Sequence, residues 1–191
     1  MRHFYAMMAR MRLIGRWSLM ASRTPENVAE HSLMTAVLAH ALASIARDIH
    51  GRAEPDPDVC AAAAIFHDAP EILTGDLPTP VKYFSPGIRE AYREVESAGI
   101  EKLLSMLPEE LRGRYRRFWE PGDAAVERIV HAADKLSAYV KCLEELRAGN
   151  GEFRDAARLT KEKLDAMDMP ELETFFAEFL PSFSLTLDEM E

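Results

Sequence analysis

The sequence has few of the features that mark membrane-spanning, disulfide-stabilised or nucleic-acid-binding proteins. Its longest unbroken apolar run, residues 59–66, is far shorter than a bilayer requires, so we expect no membrane partner. Only two cysteines occur, Cys60 and Cys142, both inside helical patterns and without metal-motif spacing, which favours a reducing cytoplasm. The net charge of −9 argues against holding a polymeric nucleic acid by its phosphates.

Strand signals and internal repeats are also missing. No stretch alternates apolar and polar residues with a period of two, whereas apolar residues recur at steps of three and four along most of the chain. We therefore expect an all-α helical bundle of about seven to nine helices. At 191 residues, the length fits a single domain over 1–191.

Caps, glycines and prolines give the expected helix bounds. A first helix is predicted over residues 2–14, and a second follows the capping cluster 22–27 and ends before Gly51. A third begins after Asp56 and continues to Glu71, with a kink or an end at Pro70, and residues 75–80 form a rigid loop. Later helices are expected from Ser85-Pro86 to near Leu107, after Pro108, from Pro121 to about Gly149, over 152–167 and over 170–179.

Three of these helices have predicted buried faces that include or adjoin ionisable residues. The stripe on the second helix is His31, Met34, Leu38, Leu42, Ile45 and Ile49. The face on the third helix is Cys60, Ala64, His67 and Glu71. The stripe on the long later helix is Val126, Ile129, Ala133, Leu136, Val140 and Leu143, with Asp134 at its margin.

The stretch 61–80 combines an apolar run with several ionisable residues. An alanine-rich run leads into His67-Asp68, Glu71 follows one turn later, and Asp76 lies in a Gly/Pro-rich turn. Ionisable groups are costly to bury unless they are paired or hold a metal. Taken alone, the His-Asp pair is more simply a satisfied core histidine beside a surface aspartate.

Ionisable residues on two other helices favour a metal site over that simpler interpretation. His31, His67, Asp68 and Asp134 come from three separate helices and together supply two imidazoles and two carboxylates. Such a mixed nitrogen and oxygen set suits a borderline divalent metal and leaves coordination positions open for water. We therefore predict a metal site at this place.

These motifs resemble the HD-domain metal-dependent phosphohydrolase superfamily, and within it the bacterial 5′-deoxynucleotidases of the YfbR type. The resemblance covers nearly the whole chain. The segments that carry it are 16–20, 24–32, 66–68, 73–84, 132–136, 139–145, 180–183 and 185–189, of which 75–84 is the most specific.

The resemblance implies the HD-domain fold and a hydrolase that removes phosphate from deoxyribonucleoside 5′-monophosphates. It implies a homodimer and a divalent transition metal, whether Co, Mn, Zn, Cu or Fe. The sequence itself favours one metal, because the only histidine between His67-Asp68 and Asp134 is His131, three residues before that aspartate.

Further roles are expected around the metal. Glu71 faces the site and orients the attacking water or accepts its proton. Arg16 provides a planar fork for phosphate oxygens and matches the family's phosphate-binding arginine. Trp17 presses on the sugar near C2′, where a ribose hydroxyl would clash, and Lys82 either adds positive potential or is a solvated surface residue. Asp76 hydrogen-bonds the sugar or protonates the leaving 5′-oxygen.

Two other functions remain open at this stage. One is an HD-type hydrolase of a different small phosphoester, such as a cyclic nucleotide or an alarmone. The other is a regulatory module without catalysis, against which the complete set of four ligands argues. Because Pro70 interrupts the helix between His67-Asp68 and Glu71, the sequence leaves open whether the Glu71 side chain points toward the site.

Overall fold

The computed structural model describes residues 1–190, and within them the chain is helical without a β-strand. Seven helices have eight residues or more, in agreement with the expected all-α bundle. The helices are α1 (Phe4–Met8), α2 (Val28–Ser44), α3 (Pro57–Phe66), α4 (Glu71–Thr74), α5 (Thr79–Lys82), α6 (Pro86–Ser105), α7 (Glu109–Arg116), α8 (Ala124–Arg147), α9 (Arg154–Asp165) and α10 (Pro170–Glu178).

The main core lies where α2, α3 and α8 pack together. Leu42 of α2, Ala64 of α3 and Leu136 of α8 have no exposed surface. The helical run Val28–Ile49 is long and apolar enough to cross a membrane by length and composition, but 56% of its most apolar window is buried inside the protein. The apolar character of this run is therefore explained by its place as the central core helix.

Helix starts follow the capping chemistry of the sequence. Asn27 caps α2: its side-chain oxygen accepts the Glu30 N–H, and the Glu30 carboxylate accepts the Asn27 N–H, which completes a capping box. Asp56 caps α3 ahead of Pro57, and Ser85 caps α6 ahead of Pro86. These caps set the positions at which His31 and His67 occur along their helices.

Several expected bounds are wrong. The first helix ends at Met8 instead of residue 14, and Met11–Leu13 forms a separate 3₁₀ turn. By contrast, the break predicted at Pro70 is confirmed: α3 ends at Phe66, because proline at position 70 has no N–H for the next helical bond, and α4 begins at Glu71. The short helix α5 begins inside the loop predicted over 75–80.

The predicted stripe on α2 is also wrong at two positions. Met34 is 37% exposed and Ile49 is 61% exposed, whereas Leu38 and Leu42 are buried. Met34 lies at the edge of the stripe, about 60° from His31 at 100° per residue. Ile49 belongs to the π-helical turn Ile45–Ile49, whose wider winding rotates later side chains away from the α-helical register.

Candidate metal centre

A short backbone pairing positions Arg16 beside the beginning of α2. Gly15 and Asn27 form an isolated antiparallel bridge. The Arg16 N–H donates to the Glu26 carbonyl at 2.9 Å, and the Val28 N–H donates to the Ile14 carbonyl at 2.9 Å. Since α2 starts at Val28, this pairing places Arg16 opposite Glu26, beside the first turn of the helix that carries His31.

The four predicted ligands converge between α2, the end of α3 and α8. His31 Nε2 lies 3.1 Å from Asp134 Oδ1 and 3.5 Å from Asp68 Oδ2, and His67 Nε2 lies 3.1 Å from the same Asp68 oxygen. One donor atom each from His31, His67 and Asp134 falls within 4.8 Å of the others. These three donors therefore enclose one point, and Asp68 Oδ2 lies within 3.5 Å of both histidine nitrogens.

Both histidines are oriented to present Nε2 to that point. The His67 Nδ1–H donates to the Ala64 carbonyl at 2.6 Å, and His31 Nδ1 is hydrogen-bonded with Ser137 Oγ at 3.1 Å. His67 Nε2 is buried and has no hydrogen-bond partner. A buried imidazole nitrogen of this kind, in a ring held in place by a bond to its other nitrogen, is the arrangement expected of a metal-ligating histidine. The donor set fits a divalent metal.

The mutual attraction of these groups shifts their pKa values. Burial lowers the pKa of His67, but the neighbouring Asp68 and Asp134 outweigh it and raise that pKa to about 9. Burial raises the pKa of Asp68, but His67 and His31 outweigh it and lower that pKa to about 2. The pKa of Asp134 is held well below its usual value, against burial, by the bond to His31 and by Lys135. The site thus keeps both carboxylates ionised and favours positive charge beside them.

Arg16 touches the cluster directly. Its Nη1 donates to Asp68 Oδ2 at 3.3 Å, and its Nε donates to Glu26 Oε2 at 3.1 Å. The Trp17 indole N–H donates to the same Glu26 oxygen at 2.7 Å. Glu26 therefore anchors both residues, and it was missed from the sequence because it lies in a segment that looked like helix capping alone.

Trp17 has a more structural environment than expected. Its ring packs against Phe153 with a centroid distance of 5.2 Å, beside the buried cluster of Cys142, Phe153 and Ala157. Its φ of +60° is a left-handed conformation that a bulky residue rarely adopts. The bond to Glu26 and the contact with Phe153 hold it there.

Glu71 and Asp76 carry raised pKa values near the cluster. Glu71 is 7% exposed, and its Oε2 is buried without a hydrogen-bond partner. Burial, together with the charges of Asp68 and Asp76, raises the pKa of Glu71 to about 9. Burial and Asp68 also raise the pKa of Asp76 above its usual value, although Arg16 acts in the opposite direction.

Lys82 is engaged away from the cluster. Its Nζ donates to Glu96 at 2.9 Å and lies 4.4 Å from the centre of the Tyr92 ring. The ion pair with Glu96 compensates part of its charge, and Lys82 acts against the raised pKa values of Glu71 and Asp76.

A cavity of about 240 Å³ reaches the cluster from the side of α8. Its walls include His67, Asp134, Phe118, Trp119 and the exposed His131. The sequence did not indicate that Phe118 and Trp119 line this cavity, since two aromatic residues after a short helix look like ordinary core residues. Ser137, which orients His31, was likewise hidden within an apolar stripe.

Comparison with known proteins gives a consistent result. The family model of the YfbR-like 5′-deoxynucleotidases matches residues 3–183. A protein of Vibrio atlanticus named 5′-deoxynucleotidase is 48% identical over 191 residues, which cover 98% of this chain and 97% of that protein.

Solved structures share the fold at lower identity. An HD-domain phosphohydrolase from Listeria innocua matches with a TM-score of 0.82 at 24% identity and covers 95% of this chain and 88% of its own. The HD phosphohydrolase DatZ of cyanophage S-2L, described as bound to dA and one catalytic Zn²⁺ ion, matches with a TM-score of 0.66 at 21% identity. It covers 95% of this chain and 96% of its own. Both likenesses support the HD-domain fold.

Proposed function

The chain belongs to the YfbR-like 5′-deoxynucleotidase family, and we propose that it acts through one divalent metal held by His31, His67, Asp68 and Asp134. It is a phosphoric monoester hydrolase that converts deoxyribonucleoside 5′-monophosphates into deoxyribonucleosides and phosphate. The observation that carries the metal proposal is the convergence of donors from His31, His67 and Asp134, with Asp68 Oδ2 within 3.5 Å of both histidines and a buried His67 Nε2 that makes no hydrogen bond.

The proposed mechanism divides the work between the metal and the surrounding side chains. When bound, a divalent cation supplies Lewis acidity, which neutralises phosphate charge and makes a water molecule more acidic. Arg16 binds phosphate oxygens, since its planar fork is aimed at the cluster by Glu26 and its side chain is only 12% exposed. Low exposure strengthens this contact because little water competes for it.

Glu71 is proposed to take the proton from the attacking water. Its unpartnered buried oxygen and its raised pKa show that its environment disfavours the charged form. A cation at the four-donor site would oppose that effect and favour the carboxylate needed for a base.

Asp76 is proposed to protonate the leaving 5′-oxygen. Its raised pKa supports this role, because an acid must retain its proton until the phosphorus–oxygen bond breaks. The alternative, a hydrogen bond to the sugar, does not require such a shift. Trp17 is proposed to exclude the ribose 2′-hydroxyl, and Lys82 to contribute only minor potential through its pair with Glu96.

A substrate panel tests the function. Phosphate release is measured with deoxy- and ribonucleoside 5′-monophosphates, 3′-monophosphates and cyclic nucleotides, on metal-stripped protein supplemented with Co²⁺, Mn²⁺, Zn²⁺, Cu²⁺ or Fe²⁺. We expect turnover of the deoxy 5′-monophosphates only with metal. A preference for ribonucleotides would contradict the role of Trp17, turnover of cyclic forms alone would favour a different phosphoesterase, and no release from any substrate would favour a regulatory module.

A pair of histidine variants on α2 tests the site. His31→Ala should abolish metal retention and turnover, whereas His40→Ala changes an exposed histidine of the same helix and should leave both intact. Equal metal content in the two purified variants, measured by atomic emission, would contradict the proposed ligand set.

We also propose a homodimer, a single domain over 1–191 and a cytoplasmic location. Leu33, Met34 and Val37 form an exposed apolar strip on α2, with Leu33 66% exposed and Val37 56% exposed, and such strips are common at subunit interfaces. Sedimentation of the wild type and of Val37→Lys tests the dimer, since a charge in the interface should yield monomers. The free cysteines Cys60 and Cys142 are buried, in keeping with a reducing compartment.

A further inference from the structure

The carbonyl of Phe66 has an unusual set of partners. Phe66 is the last residue of α3 and directly precedes His67. In a continuing α-helix this carbonyl would accept the N–H of residue 70, but Pro70 has none. It accepts instead the N–H of Ala69 at 3.0 Å and the indole N–H of Trp119 at 2.7 Å.

Trp119 reaches this carbonyl from a distant part of the chain, the connection between α7 and α8. The preceding residue, Phe118, stacks on the Phe66 ring with a centroid distance of 4.6 Å and an interplanar angle of 10°. The Trp119 ring meets Phe66 edge-on at 6.2 Å. The same connection therefore holds both the ring and the carbonyl of Phe66.

The turn after Phe66 has few strong bonds of its own. The Ala69 N–H donates to Phe66 and the Glu71 N–H donates to Asp68, each across three residues. Bonds with this 3₁₀ spacing have poorer geometry than α-helical ones. His67 and Asp68 both lie on this turn, so its orientation sets the direction of two of the four donors.

We propose that Trp119 is a positioning residue that replaces the amide donor removed by Pro70 and thereby fixes the turn carrying His67 and Asp68. The inference rests on the proposed function, because it takes His67 and Asp68 as metal ligands. It also makes Pro70 and Trp119 interdependent: proline is tolerated beside the site because the indole satisfies the carbonyl that proline leaves without its helical donor.

A cycle of three variants tests this dependence. Trp119→Phe keeps an aromatic ring but removes the donor, and should weaken metal binding by about tenfold, the lower end for a group that orients a ligand. Pro70→Ala supplies an amide to a carbonyl that already has two donors, so alone it should change metal binding less than Trp119→Phe does. The double variant should recover most of the lost affinity, because the new amide can replace the indole.

The measurements are chosen to separate positioning from folding. Metal affinity of the stripped proteins is obtained by competition with a chelating dye, and the visible absorption spectrum of bound Co²⁺ reports ligand geometry. The melting temperature of each metal-depleted variant reports folding. A merely structural role for Trp119 would lower the melting temperature but leave the Co²⁺ spectrum unchanged, and that result would overturn the proposal.

Other outcomes are equally decisive. If Trp119→Phe does not fold, a folded double variant with native metal affinity supports the proposal, and a double variant that is unfolded or as weak as Trp119→Phe overturns it. His67→Ala serves as the reference: if it too retains the metal, the proposed ligand set has failed. If only His67→Ala loses the metal while Trp119→Phe keeps it, the ligand set stands and the positioning role fails.

Discussion

Glu145 of α8 should be a major determinant of stability, although it lies outside the metal cluster. Its carboxylate is 1% exposed. One oxygen accepts the Thr24 N–H at 3.0 Å and Lys141 Nζ at 2.6 Å, and the other accepts the Arg23 N–H at 2.9 Å and Asn150 Nδ2 at 2.8 Å. All four donors face a single carboxylate, so it joins α8 to the loop that leads to α2.

Glu145→Gln replaces one of these oxygens with an amide NH₂ group. The two groups that donated to that oxygen then face another hydrogen-bond donor instead of an acceptor. Burial raises the pKa of Glu145, but the bonds to Lys141, Arg23, Asn150 and Thr24 outweigh it and lower that pKa from 4.5 to about 2. At about 1.4 kcal/mol per pKa unit, that shift corresponds to roughly 3 kcal/mol. The expected loss in unfolding free energy at pH 7 is of this size, similar to the roughly 3–5 kcal/mol lost when one partner of a buried ion pair is removed.

Urea unfolding of the metal-depleted protein measures this loss, and the melting temperature should fall by about 6–12 °C for a chain of this length. Because the pKa is depressed in the folded state, the contribution is complete above about pH 4.5 and is lost as the pH falls toward 2. At pH 3 the difference between wild type and variant should therefore shrink to less than half.

Glu144→Gln is the matched control, since it changes an exposed glutamate on the same helix. It should alter the unfolding free energy by no more than about 0.5 kcal/mol. A Glu145→Gln protein as stable as this control, or a difference that stays constant between pH 7 and pH 3, would refute the reasoning.

The remaining predictions concern catalysis. Glu71→Gln should keep the metal but lower kcat by about 10²–10⁴-fold in a phosphate-release assay. Because the pKa of Glu71 is raised in the folded state, this variant should also melt at a higher temperature than wild type when both are metal-depleted at pH 7; a lower melting temperature would contradict that shift. Asp76→Asn should lower kcat with little change in KM if Asp76 is the proton donor, and raise KM alone if it only binds the sugar. His67→Ala and Asp68→Ala should each lose bound metal together with turnover, and a fully active variant of either residue would exclude it as a ligand. Arg16→Lys should chiefly raise KM, since a point charge replaces a planar fork, and an unchanged KM would place phosphate binding elsewhere.

Much of the fold was predictable because its signals are local. Asn27, Asp56 and Ser85 each cap a helix through a side chain that bonds only two or three residues ahead. Periodicity likewise identified Leu38 and Leu42 as core, because both lie near the centre of one helical face.

The wrong bounds reflect contacts that no local pattern contains. The π-helical turn at Ile45–Ile49 and the early end of α1 cannot be read from spacing alone, since helical spacing continues through both. The sequence marked Pro70 as a break, but the partner that satisfies the freed carbonyl lies 53 residues away at Trp119.

One residue of the candidate site and one buried ion pair outside it were hidden for a related reason. Glu26 resembled a capping residue, and Lys141 with Glu145 resembled an ordinary exposed pair four residues apart on a helix, the commonest setting for such spacing. In the folded protein this pair is buried, with exposures of 4% and 1%. Burial of a polar pair depends on which segment packs over it, here residues 22–27, and the pair's own sequence does not contain that information.

The distribution of proposed donors over α2, the turn after α3 and α8 also bears on how the protein matures during synthesis. A nascent chain that has emerged only as far as residue 130 carries His31, His67 and Asp68 but not Asp134. It also lacks Ser137, the group that orients the His31 ring. The proposed coordination shell is thus completed only after α8 has left the ribosome and packed, so the proposal places complete loading of the cation after translation of at least the first two-thirds of the chain.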